Sequence, residues 1–268
     1  MRGNLPVVYR FLWSPRWIGL GLLMTLAAAT MVGLGLWQLA RYHYRSDINT
    51  RIDAASANPP QPLASVLAPP AGARVGPAPA TAHTWSLVSV TGRYDPAHEI
   101  LARVRTLNES VGFEIVTPLV LADGSAILVD RGWIPAAEGG AAVAPPVPPA
   151  PTGDVTVVGR VHAPESRSGP AEPFDGRLAV RRIAPEPLAA SVPYPLYGAY
   201  LTLEQQTPTA DPSFLTIPPD HENAAMNAGY VIQWWAFALL TLGGYGYLVW
   251  REAHAPDGEP VDFADAPV

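Results

Sequence analysis

The chain has 268 residues, of which 49% are hydrophobic, so membrane-spanning segments are the first feature to seek. It carries 17 basic residues, all Arg, against 23 acidic ones, and this net charge of −6 argues against nucleic acid as a partner. It has no Cys, which excludes disulfides, thiolate catalysis and Cys-ligated metals.

The first predicted element is a transmembrane helix. An uncharged run, 17–37, follows a short basic segment, 1–16. At about 1.5 Å per residue the run is roughly 31 Å long, which is enough to cross the hydrocarbon core. A signal peptide would have a shorter apolar run and a nearby cleavage site. The small-residue site at 55–57 lies too far downstream, so we expect an uncleaved helix over 17–41.

The segment 42–82 is predicted to be a linker. Over 45–53 the helix is expected to continue as a polar amphipathic stub, and the proline- and alanine-rich residues 58–81 predict an extended stretch that does not pack. Residues 83–206 then alternate short apolar runs with turn signals, which is typical of an all-β domain. The expected strands are 85–94, 99–107, 113–122, 125–134, 155–162, 178–183 and 200–205. The pattern leaves open whether they form a small barrel or a sandwich.

Within this domain, Asp123-Gly124 predicts a hairpin with a two-residue loop. That register places Glu114 opposite Trp133 and Val116 opposite Arg131. Glu114, Arg131 and Trp133 then share one face, and Asp130 lies on the other. The three residues form either a structural Arg–Trp cluster, which is the commoner case, or a docking face for a partner.

A proline-rich connector, 207–229, leads to a second uncharged run, 230–250, which predicts a second transmembrane helix. The acidic tail, 251–268, predicts disorder. Three Arg precede the first run and one follows the second, whereas three Arg at the far end of the first run favour the opposite orientation. We expect a multi-pass protein of a bacterial plasma membrane, with both termini cytoplasmic. The predicted fold is two transmembrane α-helices flanking an all-β extracytoplasmic domain.

Polar and aromatic side chains gather where the first helix ends and the second begins, beneath the predicted β domain. They are Trp37, Gln38, Arg41, Tyr230, Gln233 and Trp234. We expect these residues to bind a partner; the competing interpretation is an interfacial belt for the aromatic residues and a headgroup-level charge for Arg41. An amide in hydrocarbon needs a partner, so we expect Gln233 to contact Gln38 or an outside ligand.

The chain resembles the Surfeit locus one family of membrane-anchored cytochrome c oxidase assembly factors in three blocks. The first, 35–41, is similar to the family's G-x-W-Q-x-x-R; the second, 112–119 with 128–135, to its central G-x-E-V-x-T-P-L and V-x-R-G-W-[IV]-P; the third, 230–235, to its Y-A-x-Q-W. The resemblance implies a chaperone of the respiratory chain. It would assist haem a insertion or maturation of the oxidase's large subunit, with oxidase subunits as partners in the membrane.

The resemblance also implies that the chain binds haem a, and that this binding is transient. Family members often have a His, considered a haem ligand, three residues before the Tyr that opens the second helix. Asn227 stands there in this chain, and an amide is a poor iron ligand. His43 and His221, which flank the two predicted helices, are the substitute candidates for cofactor binding.

The sequence contains no Ser with a plausible His and acid, no metal-ligand spacing and no phosphate loop, so we expect no catalytic residues and no metal. An alternative of another class is a structural membrane protein whose β domain binds cell-envelope partners. That alternative predicts no haem phenotype on deletion of the gene.

Overall fold

The structure is a computed structural model that describes residues 7–138, 140–219 and 221–255. Residues 1–6 of the predicted cytoplasmic segment, 1–16, lie outside the described residues. Residues 256–268 of the predicted disordered tail, 251–268, do so as well. The described chain divides into two compact units. One consists of the residues up to 48 and from 222 onward, and the other of residues 49–221.

The helices are α1 (Pro15–Ala57), α2 (Leu63–Val66), α3 (Pro185–Leu188) and α4 (Ala224–Ala253), with 3₁₀ turns at Val7–Trp13, Pro96–His98, Gly140–Ala142 and Ala189–Ser191. The strands are β1 (Gln61–Pro62), β2 (Leu87–Tyr94), β3 (Ile100–Leu107), β4 (Ser110–Val120), β5 (Ala126–Pro135), β6 (Val155–His162), β7 (Glu172–Phe174), β8 (Arg177–Val180) and β9 (Leu196–Thr207).

In the described part of the chain, α1 is the one helix long and apolar enough, by length and composition, to cross a membrane. It continues beyond the predicted end of the membrane span at 41, and so confirms the helical stub predicted over 45–53, because residues 42–57 contain neither Pro nor Gly. A second membrane-spanning helix is not confirmed. Residues 230–250 do lie in α4, but Gly, Tyr, Trp and Gln dilute its apolar residues.

The unit that contains α4 is an antiparallel pair of α4 with the first part of α1. Small residues of α1 allow the close approach: Gly21 lies against Tyr245, and Gly35 lies against the ring of Trp235. Gly21 and Gly35 are fourteen residues apart and therefore lie on one helix face. A Cβ added at Gly33, by contrast, would meet no described atom within 4 Å.

The other unit contains one mixed nine-stranded sheet with the order β1-β2-β6-β9-β5-β4-β3-β8-β7. Because β2 also pairs with β4, the strands β2, β6, β9, β5 and β4 close into a ring. This topology is that of a small barrel and excludes the sandwich alternative. The seven predicted strands are all present, whereas the short strands β1 and β7 were not predicted.

The second half of the predicted linker packs, contrary to expectation. β1 pairs in parallel with Val88 and Ser89 of β2, and Leu63, Val66 and Leu67 are buried in the core of the ring. Their i, i+3, i+4 spacing is a helical signal that the proline-rich composition obscured.

The central hairpin, β4 with β5, is present with a different register from the prediction. Gly124 has φ +81° and ends a three-residue loop, 122–124, so that Val116 pairs with Asp130. A bulge near Gly132, which has φ +130°, then inserts one extra residue and restores the predicted pairing of Glu114 with Trp133. The predicted pairing of Val116 with Arg131 is therefore wrong.

Candidate functional site

The register change places the carboxyl groups of Glu114 and Asp130 on the same face of the hairpin. Asp130 was predicted on the opposite face, and that prediction is wrong. Val116 lies on the same face as Glu114 and pairs with Asp130 instead of Arg131, so Asp130 lies on this face too. The partner of Glu114 is Arg105, whose Nε lies 2.5 Å from Glu114 Oε2. Arg105 also binds Glu165, with Nη2 2.8 Å from Oε1. We call Arg105, Glu114, Asp130 and Glu165 the acidic cluster.

Arg105 reaches this face because of a bulge in β3. Val104 has φ +60°, and the strand pairing shifts there, so that Arg103 pairs with Phe113 and Arg105 pairs with Gly112. Arg103 and Arg105 therefore point to opposite faces, although their spacing in a regular strand would place them on the same one. The sequence carried no turn signal at Val104 from which this could be predicted.

Asp130 is the most deeply buried acid of the acidic cluster, with 2% of its surface exposed. Burial, and secondarily the charge of Glu114, raise the pKa of its carboxyl group well above the ordinary value. Its Oδ1 accepts a hydrogen bond from the backbone N–H of Gly132 at 3.1 Å, which fixes the bulge. The neutral carboxyl group thus stabilises the turn in the chain that precedes Trp133.

We expect Asp130→Asn to stabilise the protein above pH 7 by about 1–2 kcal/mol, because the amide keeps an acceptor for Gly132 and cannot ionise. The native pKa is raised, so the wild type loses stability as pH rises from about 4, where the unfolded carboxyl ionises. Urea unfolding at pH 5 and pH 8 measures the difference, which grows with pH. Asp130→Ala is the control, since it loses the acceptor at both pH values. An Asn variant as unstable as the Ala variant at pH 8 contradicts the prediction.

Arg131 belongs to a second cluster, on Glu99, and does not contact Glu114 as predicted. Its Nη1 lies 3.2 Å from Glu99 Oε2, and Arg177 Nε lies 3.1 Å from the other oxygen of Glu99. The guanidinium lies over the rings of Phe214 and Tyr94, at 4.6 and 5.5 Å from their centroids. Arg131 is 4% exposed, so the geometry favours the structural interpretation of this residue.

Trp133 is also buried, with 3% of its surface exposed, and its Nε1–H donates to the carbonyl oxygen of Arg105 at 3.0 Å. This hydrogen bond holds the backbone of Arg105, a member of the acidic cluster, in place. The three hairpin residues predicted to share one face thus divide between two clusters.

The helix pair contains a third group of contacts, which we call the polar helix cluster: Gln38, Arg45, Glu222 and Asn227. Arg45 Nη1 donates to Asn227 Oδ1 at 3.1 Å, and Asn227 Nδ2 donates to Gln38 Oε1 at 2.6 Å. Arg45 Nε also lies 3.2 Å from Glu222 Oε2. Asn227 is 5% exposed, so its amide is enclosed with both of its polar ends bonded.

Of the two partners expected for Gln233, Gln38 is wrong, because Gln38 bonds to Asn227, and an outside ligand stays a prediction. The face of α4 that meets α1 follows the series Asn227, Val231 and Ala238, all buried, and Gln233 lies two residues from Val231 and hence off that face. Gln233 is exposed and makes no hydrogen bond to any described residue. The seven-residue separation of Gln38 and Arg45, which sets both on one side of α1, was the missed signal for the polar helix cluster.

The other predicted residues of the helix ends lie on the surface of the helix pair. Trp37 and Tyr230 are 61% and 40% exposed. The Arg41 guanidinium lies 5.7 Å from the ring centroid of Tyr44, and Trp234 meets Phe237 edge to face at 6.3 Å. These placements leave the aromatic rings available to lipid or to a partner.

The two histidines predicted as cofactor candidates are both exposed. His43 makes an edge contact with the ring of Tyr42 at 5.4 Å. His221 Nε2 lies 2.8 Å from Asp53 Oδ1, with half of its side chain exposed. Across the residues that the structure describes, no group of three or more His, Asp or Glu side chains is arranged to hold a metal ion.

A histidine that the sequence did not single out, His162, lies between aromatic rings in the β unit. Its ring centroid is 4.6 Å from that of Trp85 and 5.0 Å from that of Tyr200. Burial, with the charge of Arg160, lowers the pKa of His162 to about 4, so the ring is neutral at physiological pH.

We expect His162→Gln to reduce the loss of stability on acidification by about 1–2 kcal/mol between pH 7.5 and pH 4.5. In this interval the unfolded chain protonates His162, with a pKa of about 6.5, and the native chain does not. The wild type therefore loses stability as pH falls. Urea midpoints at the two pH values test this, with the exposed His43→Gln as the control. Equal pH dependence in the wild type and His162→Gln contradicts the prediction.

Comparison with known proteins gives a consistent result. A sequence model of the SURF1 family matches residues 25–239, a region that includes all three blocks noted in the sequence. Uncharacterized SURF1-like proteins of Mycobacterium tuberculosis strain H37Rv and Mycobacterium bovis are each 31% identical over 248 residues, which covers 91% of this chain and 88% of each relative. A SURF1-like protein of Monosiga brevicollis is 30% identical over 133 residues, or 45% of this chain and 47% of that protein.

Proposed function

Because this chain belongs to the SURF1 family, whose members are generally cytochrome oxidase assembly factors, we propose that it is a non-enzymatic, membrane-anchored assembly factor for cytochrome c oxidase. It acts on the large haem-bearing subunit, whose maturation or haem a insertion it assists. The alternative, a structural membrane protein without a role in the oxidase, is an outcome of the test below.

The observation that carries the proposal is the polar helix cluster. An arginine and two amides between apolar helices are costly unless they bond to one another, and here each does. The cluster fixes one end of the helix pair, where Trp37, Arg41, Tyr230 and Trp234 remain at the surface. A rigid, aromatic, membrane-level surface suits the capture of an apolar subunit during its assembly.

For the membrane arrangement we propose that α1 and α4 both span the bilayer. The uncharged run 230–250 is long enough at about 1.5 Å per residue. Contact with α1 along its length shields part of its less apolar surface, as at Trp235 and Tyr245. In this arrangement both termini are cytoplasmic and the β unit is extracytoplasmic.

The residue at position 227, Asn227, does not fit the role of a haem ligand. Asn227 carries no imidazole, and both of its polar atoms are already bonded, to Arg45 and Gln38. We therefore assign no haem step to this position. Of the two substitutes, His221 has one ring nitrogen held by Asp53, an arrangement that orients many ligand histidines, and His43 has a free surface position. Any contact of the chain with haem a is then transient and at the surface.

The test is a deletion strain, complemented with the full-length chain or with variants. We expect membranes of the deletion strain to lose the haem a absorbance of the oxidase in reduced-minus-oxidised spectra, and the wild-type chain to restore it. The tagged chain should also co-purify with the large subunit. Normal oxidase spectra in the deletion strain overturn the proposal and favour the structural alternative.

Two variants sharpen this test. Asn227→Leu, which breaks the polar helix cluster, should fail to restore the oxidase, whereas Arg93→Gln, at an exposed pair in the β unit, should restore it fully. His43→Ala and His221→Ala report on haem separately. If the wild-type chain purified free of the large subunit has a Soret band and one of these variants loses it, that variant identifies the imidazole that binds haem.

A further inference from the structure

Gln233 is an amide on the outer surface of α4. Its side chain is exposed and has no hydrogen-bond partner among the residues that the structure describes. In the membrane arrangement proposed above, on which this inference rests, Gln233 lies within the uncharged run 230–250. An amide that faces hydrocarbon without a hydrogen bond is costly, so its partner comes from outside this chain.

The surface around Gln233 points away from α1. At 3.6 residues per turn, Gln233 lies about 140° around the helix axis from Ala238, which is buried on the face that meets α1. The exposed residues on the side of Gln233 extend over about four turns of the helix. We call them the outer face of α4: Gly229, Gln233, Ala236, Leu240 and Gly243.

The outer face allows a second helix to approach closely. Gly229, Ala236 and Gly243 recur at seven-residue intervals and so lie on one side of α4. A Cβ added at Gly229 or Gly243 meets no described atom within 4 Å, whereas Gly21 and Gly35 of α1 lie against rings of α4. Small residues are enriched where transmembrane helices pack against each other. The glycines of the outer face therefore leave room for a helix other than α1.

We propose that the outer face binds the α4 helix of a second copy of this chain, with the two Gln233 amides hydrogen-bonded to each other. Copies inserted in one membrane have the same orientation, so a pair related by a two-fold axis brings equivalent residues together at the same depth. A carboxamide has both a donor and an acceptor, and two facing Gln233 side chains therefore satisfy each other without a further group. A lipid tail offers neither, and a different helix would need its own polar side chain at this depth.

The experiment is disulfide cross-linking of the full chain in native membranes, since the natural chain has no cysteine. Leu240→Cys places a thiol on the outer face. Leu239→Cys is the matched control, because the two leucines are adjacent and are 69% and 72% exposed, but Leu239 lies about 100° around the helix from Leu240. Under mild oxidation we expect Leu240→Cys to form a disulfide-linked homodimer and Leu239→Cys to form little.

The role of the amide is tested by adding Gln233→Leu to Leu240→Cys. At low expression the cross-linking rate follows the dimer population, and we expect it to fall by about tenfold, because two hydrogen bonds between the helices are lost. Gln233→Asn keeps an amide and should retain more of the rate than Gln233→Leu. Because Gln233 has no described hydrogen bond to α1, either variant should leave the pair of α1 with α4 intact.

Three results overturn the inference. Equal rates for Leu240→Cys and Leu239→Cys indicate random collision, and a rate unchanged by Gln233→Leu excludes the amide pair. A cross-link from Leu240→Cys to a protein of different mass, without a homodimer, assigns the outer face to another partner.

Two further readouts separate this inference from the proposals above. A membrane-impermeant maleimide that labels Leu240→Cys shows that α4 does not span the bilayer, and it overturns the membrane arrangement together with the dimer. A protected thiol that forms no cross-link overturns the dimer alone. If deletion of the gene leaves the oxidase spectra normal, while Leu240→Cys still cross-links in a manner that depends on Gln233, the dimer is supported and the oxidase role fails.

Discussion

Replacing Arg131 with Leu is expected to lower the free energy of unfolding by about 3–5 kcal/mol, because Glu99 then remains buried with one of its two arginines removed. The variant also loses the contacts with Phe214 and Tyr94 and the donors to the carbonyl oxygens of Pro148 and Pro149. Urea unfolding of the full chain, followed by tryptophan fluorescence, measures the loss as a shift of the midpoint.

Two comparisons make this result specific. Arg93→Gln removes an ion pair whose partners are 72% and 67% exposed, and we expect its midpoint to match the wild type. The double variant Arg131→Leu/Glu99→Leu should recover part of the loss, since an apolar pair replaces a buried charge without a partner. If Arg131→Leu unfolds at the same midpoint as Arg93→Gln, the Glu99 cluster does not stabilise the β unit as we describe.

The second large effect is expected at Gly35 in the helix pair. A side chain there would overlap the ring of Trp235, so Gly35→Leu should separate α1 from α4. Such overpacking costs about 1–3 kcal/mol, which corresponds to a fall of about 5- to 150-fold in the ratio of paired to separated helices. Because the chain has no cysteine, a cross-link between Met31→Cys and Thr241→Cys reports this pairing without background.

The wild-type side chains at these two positions are in contact, with Thr241 Oγ1 3.7 Å from Met31 Sδ, so their cysteine replacements should cross-link readily under mild oxidation. Gly33→Leu is the matched control, because a Cβ at Gly33 meets no described atom within 4 Å. Its cross-linking rate should equal that of the parent. Equal rates for Gly35→Leu and Gly33→Leu exclude the proposed packing and remove the basis for the polar helix cluster.

The sequence predicted those elements of the fold that a local pattern of apolar residues and turn residues indicates. The helix α1 was predicted from the length of its uncharged run, and the seven strands were predicted from short apolar runs bounded by turn signals. The pairings within the site depend on two backbone irregularities: the extra residue near Gly132 and the positive φ of Val104. Each reverses which face the following side chains occupy, and this is why Arg131 was assigned to Glu114 and Arg105 was missed.

Asn227 illustrates a different limit. Its position was predicted from the resemblance and interpreted only as a missing ligand, because a motif comparison does not show which side chain faces it across a 189-residue gap in the sequence. The closed ring was likewise one of two open alternatives. Its closure depends on a pairing of β2 with β4 at only two positions, which leaves no mark on strand periodicity.

The ring also limits how a partner can attach to the β unit. Its closure leaves β1 and β7, of two and three residues, as the outermost strands of the sheet, and so the described sheet offers almost no free backbone edge. Recognition by strand addition needs a longer edge than these provide. Any protein that binds this domain would therefore contact its side chains, and the same closure protects the domain from edge-to-edge aggregation.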